Sequence, residues 1–270
     1  MKDLVLGIKI CRESKSRKVG NGMKKIFVAL LLMLGMISCG SKSAGNATKE
    51  KKLVVGTDGV FPPFGYMENG KVVGFDMDLI SEIAKGLGYQ VEFKVQPFDG
   101  LISSLKAGKL DVIASGMSAT EERKQSVDFT DEYFKSKQVY LRKKGNNSIN
   151  SKESLNGKKV AVQLGTIQEM EAKKIKGAIV VPNETPATII MDLNAGKNDA
   201  VILEDIVALQ YVKNNPGIEI FYKENLPAGM AFAFDKGKNP ELVKQFNEQL
   251  KKLKENGKYD ELLKKYGLNY

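Results

Sequence analysis

Leu105-Lys106-Ala107-Gly108-Lys109-Leu110-Asp111 returns 88 residues later as Leu193-Asn194-Ala195-Gly196-Lys197-Asn198-Asp199, with five of the seven positions identical. Each copy closes an apolar helix at a glycine, the residue that most readily stops one. Each then leads into a short apolar strand, Asp111-Val112-Ile113-Ala114 in one and Ala200-Val201-Ile202-Leu203 in the other. A helix–glycine–strand unit used twice predicts two related lobes.

The flanking sequence extends both copies in the same way. Leu53-Val54-Val55-Gly56 reads as a strand, and Phe75-Asp76 opens a helix with Ile80, Ile83, Ala84 and Leu87 on one face, ended at Gly88. Val91 to Val95 alternates as a second strand does. In the second copy, Lys159-Val160-Ala161-Val162 is a strand and Gly165-Thr166 turns into a helix from about Ile167; a further helix over 188–195 is closed by Gly196. Alternating strands and helices of this kind predict an α/β architecture with largely parallel sheets. The tail over 240–270 places Leu242, Val243, Phe246, Leu250 and Leu253 on one helix face, stopped at Asn256-Gly257. Such a tail packs back on the first lobe, so the chain crosses between lobes twice, near 133–137 and 226–230.

Composition bounds the chemistry. The chain is 42% hydrophobic and 27% charged, which suits a globular protein. It has no histidine and two cysteines, Cys11 and Cys39, which excludes a disulfide scaffold, a Cys/His zinc site and imidazole catalysis. Lys24 and Lys25 precede an apolar run from Ile26 to Met36, and Met36-Ile37-Ser38-Cys39-Gly40 follows. That is the pattern of a secretory signal peptide, with a run too short to span a bilayer. A cysteine at such a cut site resembles a lipobox, with Cys39 acylated; the alternative is a plain signal peptide with a chance cysteine. Residues 1–22 suit the position ahead of a signal poorly, so Met23 is the expected start. Residues 1–38 carry +6 of the chain's +10, leaving +4 for the mature part and no charge argument for nucleic acid. Residues 39–52 read as a flexible tether.

In open α/β sheets, ligands sit beyond the carboxyl ends of the strands. The first repeated strand ends at Ser115-Gly116-Met117-Ser118, the second at Leu203-Glu204-Asp205. One offers hydroxyls and amides and the other carboxylates, a clamp for a zwitterion. Arg123, in Thr120-Glu121-Glu122-Arg123, is either a carboxylate holder or a solvated helix residue paired with Glu121 or Glu122. Asp58, Phe61 and Phe64 lie in the loop after the first strand; each phenylalanine either stacks on a ligand or fills the core, and Phe98 poses the same choice. The helix opening at Thr166-Ile167 offers free N–H groups to an anion, with Thr166 as its cap. Asp76 and Asp78 read structurally, as an N-cap and a first-turn acid.

Six stretches in this order carry a resemblance: Val55-Gly56-Thr57-Asp58 through Pro63-Phe64; Val73-Gly74-Phe75-Asp76-Met77-Asp78-Leu79; Ser115 through Lys124; Val127-Asp128-Phe129-Thr130 with Tyr133-Phe134; Gly165-Thr166-Ile167-Gln168-Glu169; and Asp199-Ala200-Val201-Ile202. From Leu53 to Leu268 the chain resembles the polar-amino-acid-binding proteins of ABC importers, bacterial solute-binding protein family 3. The resemblance implies a two-lobed periplasmic-binding-protein-like fold of type II, each lobe a mostly parallel sheet flanked by helices, joined by two crossover strands. Lobe 1 is expected over 53–134 plus 228–270 and lobe 2 over 135–227, after a leader over 1–38.

The resemblance also implies roles. Arg123, with the N–H groups of Ser118 and Ile167, would hold the α-carboxylate. The Ser118 hydroxyl, the Gly116 carbonyl and Glu204 would meet the α-ammonium; the family commonly has Asp where this chain has Glu204. Asp205 is expected to point away, because neighbours on a strand alternate. Phe61 and Phe98 would sandwich the side chain and Asp58 would meet its polar end, with Ser115, Gln163 and Thr166 completing the lining. The implied protein is a monomeric, exported, lipid-anchored carrier at the cell envelope. It has no cofactor, metal or catalytic residue, and delivers a free L-amino acid, arginine, lysine or glutamine, to an ABC permease. The alternative is an enzyme on the same scaffold, such as a cyclohexadienyl dehydratase.

Overall fold

The computed structural model describes residues 51–269. The leader, the signal segment with Cys39, and residues 39–50 of the tether lie outside the described residues.

The described residues open with β1 (Lys51–Thr57), starting two residues earlier than its apolar run suggests, so Lys51 and Lys52 belong to the strand and not to the tether. A small antiparallel sheet of β2 (Val60–Phe61), β3 (Gly65–Glu68) and β4 (Lys71–Val73) follows. Then come α1 (Phe75–Gly86), β5 (Tyr89–Val95), α2 (Leu101–Lys106), β6 (Val112–Ile113), α3 (Glu121–Lys124) and β7 (Val127–Phe129). The second region holds β8 (Lys137–Lys143), β9 (Lys159–Gln163), α4 (Ile167–Lys173), β10 (Ile179–Asn183), α5 (Pro186–Asn194), β11 (Ala200–Glu204), α6 (Asp205–Asn214) and β12 (Ile218–Asn225). The chain returns through β13 (Ala233–Asp235) and ends in α7 (Pro240–Glu255) and α8 (Lys258–Lys265).

Two five-stranded sheets result, ordered β5-β1-β6-β13-β7 and β10-β9-β11-β8-β12. β1 runs parallel to β5 and β6, and β9 parallel to β10 and β11. In each sheet one strand opposes the rest: β13, antiparallel to β6 and β7, and β8, antiparallel to β11 and β12. These are the first strands after each passage between lobes, so the reversal follows from the chain re-entering from the other side. The fold is the two-lobed α/β arrangement that the repeat predicts.

The repeated heptapeptide does the same work twice. The Asp111 carboxylate accepts the Val54 N–H at 2.7 Å, and the Asp199 carboxylate accepts the Lys159 N–H at 2.8 Å. Gly108 and Gly196 take φ of 69° and 74° after their helices. Each unit thus stops a helix and pins a neighbouring strand of its sheet, β1 at its middle and β9 at its first residue.

The apolar faces pack as their periodicity dictates. Ile80, Ile83 and Ala84 of α1 and Phe246, Leu250 and Leu253 of α7 are buried in one core with Leu53, Val55, Phe232 and Phe234. Each large side chain so buried stabilises by roughly 1.5–3 kcal/mol. Lys265 and the Tyr266 hydroxyl, at the end of α8, both reach the Asp78 carboxylate, so that first-turn acid also anchors the tail. The second sheet carries one cluster on each face, around Val139, Ile189 and Val201 and around Tyr140, Val160 and Ile202.

Asp76 corrects an expectation. The N-cap position of α1 is Gly74, at φ 135°, with no side-chain cap. Asp76 is wholly buried, and its carboxylate accepts the Gly116 N–H at 2.6 Å. The helix begins two residues earlier than a cap at Asp76 requires, which turns that side chain inward.

Candidate functional site

The strand ends of both lobes meet at one narrow cleft, whose free cavity volume is only about 10 Å³. Its lining gathers all eleven residues singled out above: Asp58, Phe61, Phe98, Ser115, Gly116, Ser118 and Arg123 from the first lobe, and Gln163, Thr166, Ile167 and Glu204 from the second. Gln168 joins them. Phe64 does not; it is fully buried beneath the site, its ring 5.5 Å from that of Phe61.

The first-lobe side is built on two loops that brace each other. Beyond β1, the Asp58 N–H donates to the Ser115 hydroxyl at 3.0 Å, joining that loop to the one beyond β6. Gly116 follows at φ 56°, a left-handed turn in which an added Cβ would stand 2.7 Å from the Phe61 ring. Thr120 then caps α3, accepting the Arg123 N–H, and so aims the Arg123 side chain back into the cleft. Arg123 is 5% exposed, and its guanidinium donates to the Ser118 carbonyl at 2.8 Å and to the Gly165 carbonyl at 2.9 Å and lies 5.4 Å from the Phe98 ring centre. Burial lowers its pKa to about 10, against the pull of Glu204 and Glu122, so it stays charged at neutral pH. Among the described residues no carboxylate lies within ion-pair distance of it; Glu121 pairs with Lys124 instead. The solvated-helix alternative for Arg123 therefore fails.

On the second lobe, Thr166 caps α4 by accepting the Glu169 N–H at 3.3 Å. Ile167 and Gln168 form the first turn, at the helix end where N–H groups lack intrahelical partners. Glu204 ends β11 at the N-cap position of α6 and is 5% exposed. Burial pushes its pKa up to about 7, while the Gln168 amide, its own backbone and Arg123 pull the other way and Asp205 adds to the rise. Asp205 is the first residue of α6, and its carboxylate accepts the Lys137 N–H outside the cleft. It points away as expected, though because a helix starts there and not because a strand continues.

The cleft is closed. Gln163 Nε2 donates to Asp58 Oδ2 at 3.1 Å and to the Glu184 carbonyl at 3.1 Å, and Arg123 reaches Gly165, so hydrogen bonds span the lobes. Burial raises the pKa of Asp58, opposed first by the Gln163 bond.

Sequence reasoning missed Gln168, although it stands within one of the six quoted stretches. It is buried, and its amide nitrogen makes no hydrogen bond of good geometry among the described residues. Its position second in a helix that opens on a strand end is the signal that would have found it. Among the described residues no group of three or more Asp, Glu, Cys or His is placed to hold a metal, and no helix is long and apolar enough to cross a membrane.

A cleft of this kind, with a buried unpaired guanidinium facing a buried carboxylate, agrees with what the chain is similar to. The model of the bacterial extracellular solute-binding proteins, family 3, matches residues 53–269. A probable histidine-binding protein of Campylobacter jejuni is 43% identical over 255 residues, covering 91% of this chain and all of that protein. An arginine-binding extracellular protein of Bacillus subtilis is 36% identical over 253 residues, covering 90% of this chain and 98% of its own length. Among solved structures, an ancestral arginine-binding protein bound to arginine superposes with a TM-score of 0.76 at 45% identity, covering 80% of this chain and 97% of that one. The chain belongs to the bacterial extracellular solute-binding proteins, family 3.

Proposed function

We propose that the protein is the extracytoplasmic capture component of an ABC importer and binds a free L-amino acid with a basic side chain, arginine first, by closure of the cleft. One observation carries this reading: Arg123 and Glu204, opposite charges buried on opposite lobes, line one cavity without forming an ion pair with each other. A buried charge left unpaired is costly. An α-carboxylate against Arg123 and an α-ammonium against Glu204, the Ser118 hydroxyl and the Gly116 carbonyl relieve both charges at once. The N–H groups of Ser118 and Ile167 would assist at the carboxylate.

At the other end, Asp58 supplies a carboxylate that a guanidinium or ammonium would neutralise, with Gln163 beside it and Phe61 and Phe98 enclosing the aliphatic stem. The relatives, named as histidine- and arginine-binding proteins, support a basic side chain. Gln168, its amide beside Glu204, joins the polar contacts.

The lobes divide at 134/135 and 227/228 in this reading, so the two passages act as hinge. The ligand is released unchanged to a permease, the protein works as a monomer, and acylated Cys39 tethers it to the membrane. A thermal-shift panel over the twenty amino acids tests the ligand class. Arginine, lysine or histidine is expected to raise Tm most, with glutamine behind; no shift with any of them contradicts the proposal. Product formed from prephenate or arogenate would instead favour an enzyme using Glu204 as its acid. Labelled palmitate entering the wild type and not Cys39→Ser tests the anchor.

A further inference from the structure

Beneath the Ser115-Gly116-Met117-Ser118 turn lies a carboxylate that this scheme leaves unused. Asp76 is fully buried, and Oδ2 accepts the Gly116 N–H at 2.6 Å. Its other oxygen makes no hydrogen bond of good geometry among the described residues, and neither does the buried hydroxyl of Tyr133 beside it. The two groups are close enough for each to move the other's pKa. The titratable groups facing Asp76 are Asp58 and Tyr133, with Tyr259 beyond, and none is a cation. A carboxylate buried without a cation is costly, so packing alone is a poor account of it.

Its two neighbours explain what the position can do. Gly116 is held from above by the Phe61 ring and from below by Asp76, so its left-handed turn has little freedom. Tyr133 stands at the start of the first passage between lobes, where its N–H donates to the Met230 carbonyl at 2.9 Å. Met230 in turn bridges both Ser118 and Phe134. Asp76 therefore sits where the turn and the passage come together.

We propose that Asp76 is a positioning residue for the ammonium end of the ligand: its carboxylate pins the Gly116 amide so that the Gly116 carbonyl and Ser118 hydroxyl face the cleft, and through Tyr133 it ties that turn to the first passage. The proposal rests on the amino-acid reading of the cleft.

The test compares Asp76→Asn, which keeps an acceptor for the Gly116 N–H, with Asp76→Leu, which removes it at similar volume. The ligands are L-arginine and 5-guanidinopentanoate, the same molecule without its α-amino group, with competition titration where binding is weak. Asp76→Leu is expected to weaken arginine binding by about tenfold or more and Asp76→Asn by less than about threefold. For the des-amino ligand the loss in Asp76→Leu should largely vanish. Equal losses for both ligands mean a merely structural part and overturn the proposal, as does unchanged arginine affinity in Asp76→Leu.

If Asp76→Leu does not fold, the wild type decides. Its Gly116 amide proton resonance is expected to move with pH across neutrality, and again on adding arginine more than on adding the des-amino ligand. A resonance that stays in place overturns the proposal. Absence of binding of any of the twenty amino acids by the wild type, or undiminished binding in Arg123→Ala, retires the amino-acid reading instead.

Discussion

At the residue scale, Glu204 and Asp76 show how local sequence and tertiary position divide the information. The candidate site was legible because its residues sit at strand ends and helix starts, positions that the apolar pattern fixes to within a residue or two. The inward turn of Asp76 was not, because its partner Gly116 lies 40 residues away and nothing around Asp76 announces it. Glu204 makes a pH prediction. Its pKa is raised to about 7 in the folded protein, and a bound ammonium beside it lowers that value again. Binding then releases a proton near neutrality, and affinity rises with pH through about 6 to 8, at most roughly tenfold per unit below the pKa. Glu204→Gln should bind more weakly at pH 8 and show a flatter profile; calorimetry in buffers of differing ionisation enthalpy reads the proton release. The same shift bears on stability without ligand. A carboxylate whose folded pKa lies above its unfolded one holds more protons in the folded state, so Glu204 and Asp76 both make stability fall as pH rises from about 4 to 7. Chemical denaturation of the wild type and of Asp76→Asn checks this, the variant losing part of the slope.

At the element scale, the duplicated heptapeptide is the feature that the chain advertised most openly. Leu193-Asn194-Ala195-Gly196-Lys197-Asn198-Asp199 carried enough identity to its earlier copy to predict the second lobe, and the twin bonds of Asp111 and Asp199 give the physical reason that those residues recur. If the units are equivalent, Gly108→Ala and Gly196→Ala should each destabilise by about 1–2 kcal/mol, the cost of a Cβ in the left-handed region, measured by urea unfolding. The space beside Gly108 is open, and the nearest atom to a Cβ on Gly196 is Lys143 Nζ at 3.8 Å, so sterics add little to either. The tail behaves differently. Phe246 is fully buried between α7 and the first sheet, and Phe246→Ala is expected to cost about 3–5 kcal/mol. Sheet order was beyond the sequence, because strand pairing is settled by the insertion of β13 between β6 and β7 and of β8 between β11 and β12, and each strand's partners lie far from it along the chain.

At the scale of the whole molecule, the lobes touch across the cleft through Gln163–Asp58 and Arg123–Gly165, bonds that closure brings together and opening breaks. A ligand that adds contacts to both lobes shifts that equilibrium toward the closed form. Small-angle scattering is expected to show a smaller radius of gyration on saturation with arginine; an unchanged radius would count against closure as the response to ligand. The central claim, that Arg123 holds the carboxylate of a free amino acid, has a more direct test: calorimetric titration of L-arginine into the wild type and Arg123→Ala, with circular dichroism confirming the fold of both. A saturable one-to-one isotherm in the wild type and none in Arg123→Ala is the result predicted, since losing a buried charge-assisted contact costs about 2–5 kcal/mol. Equal affinities in the two proteins would contradict it.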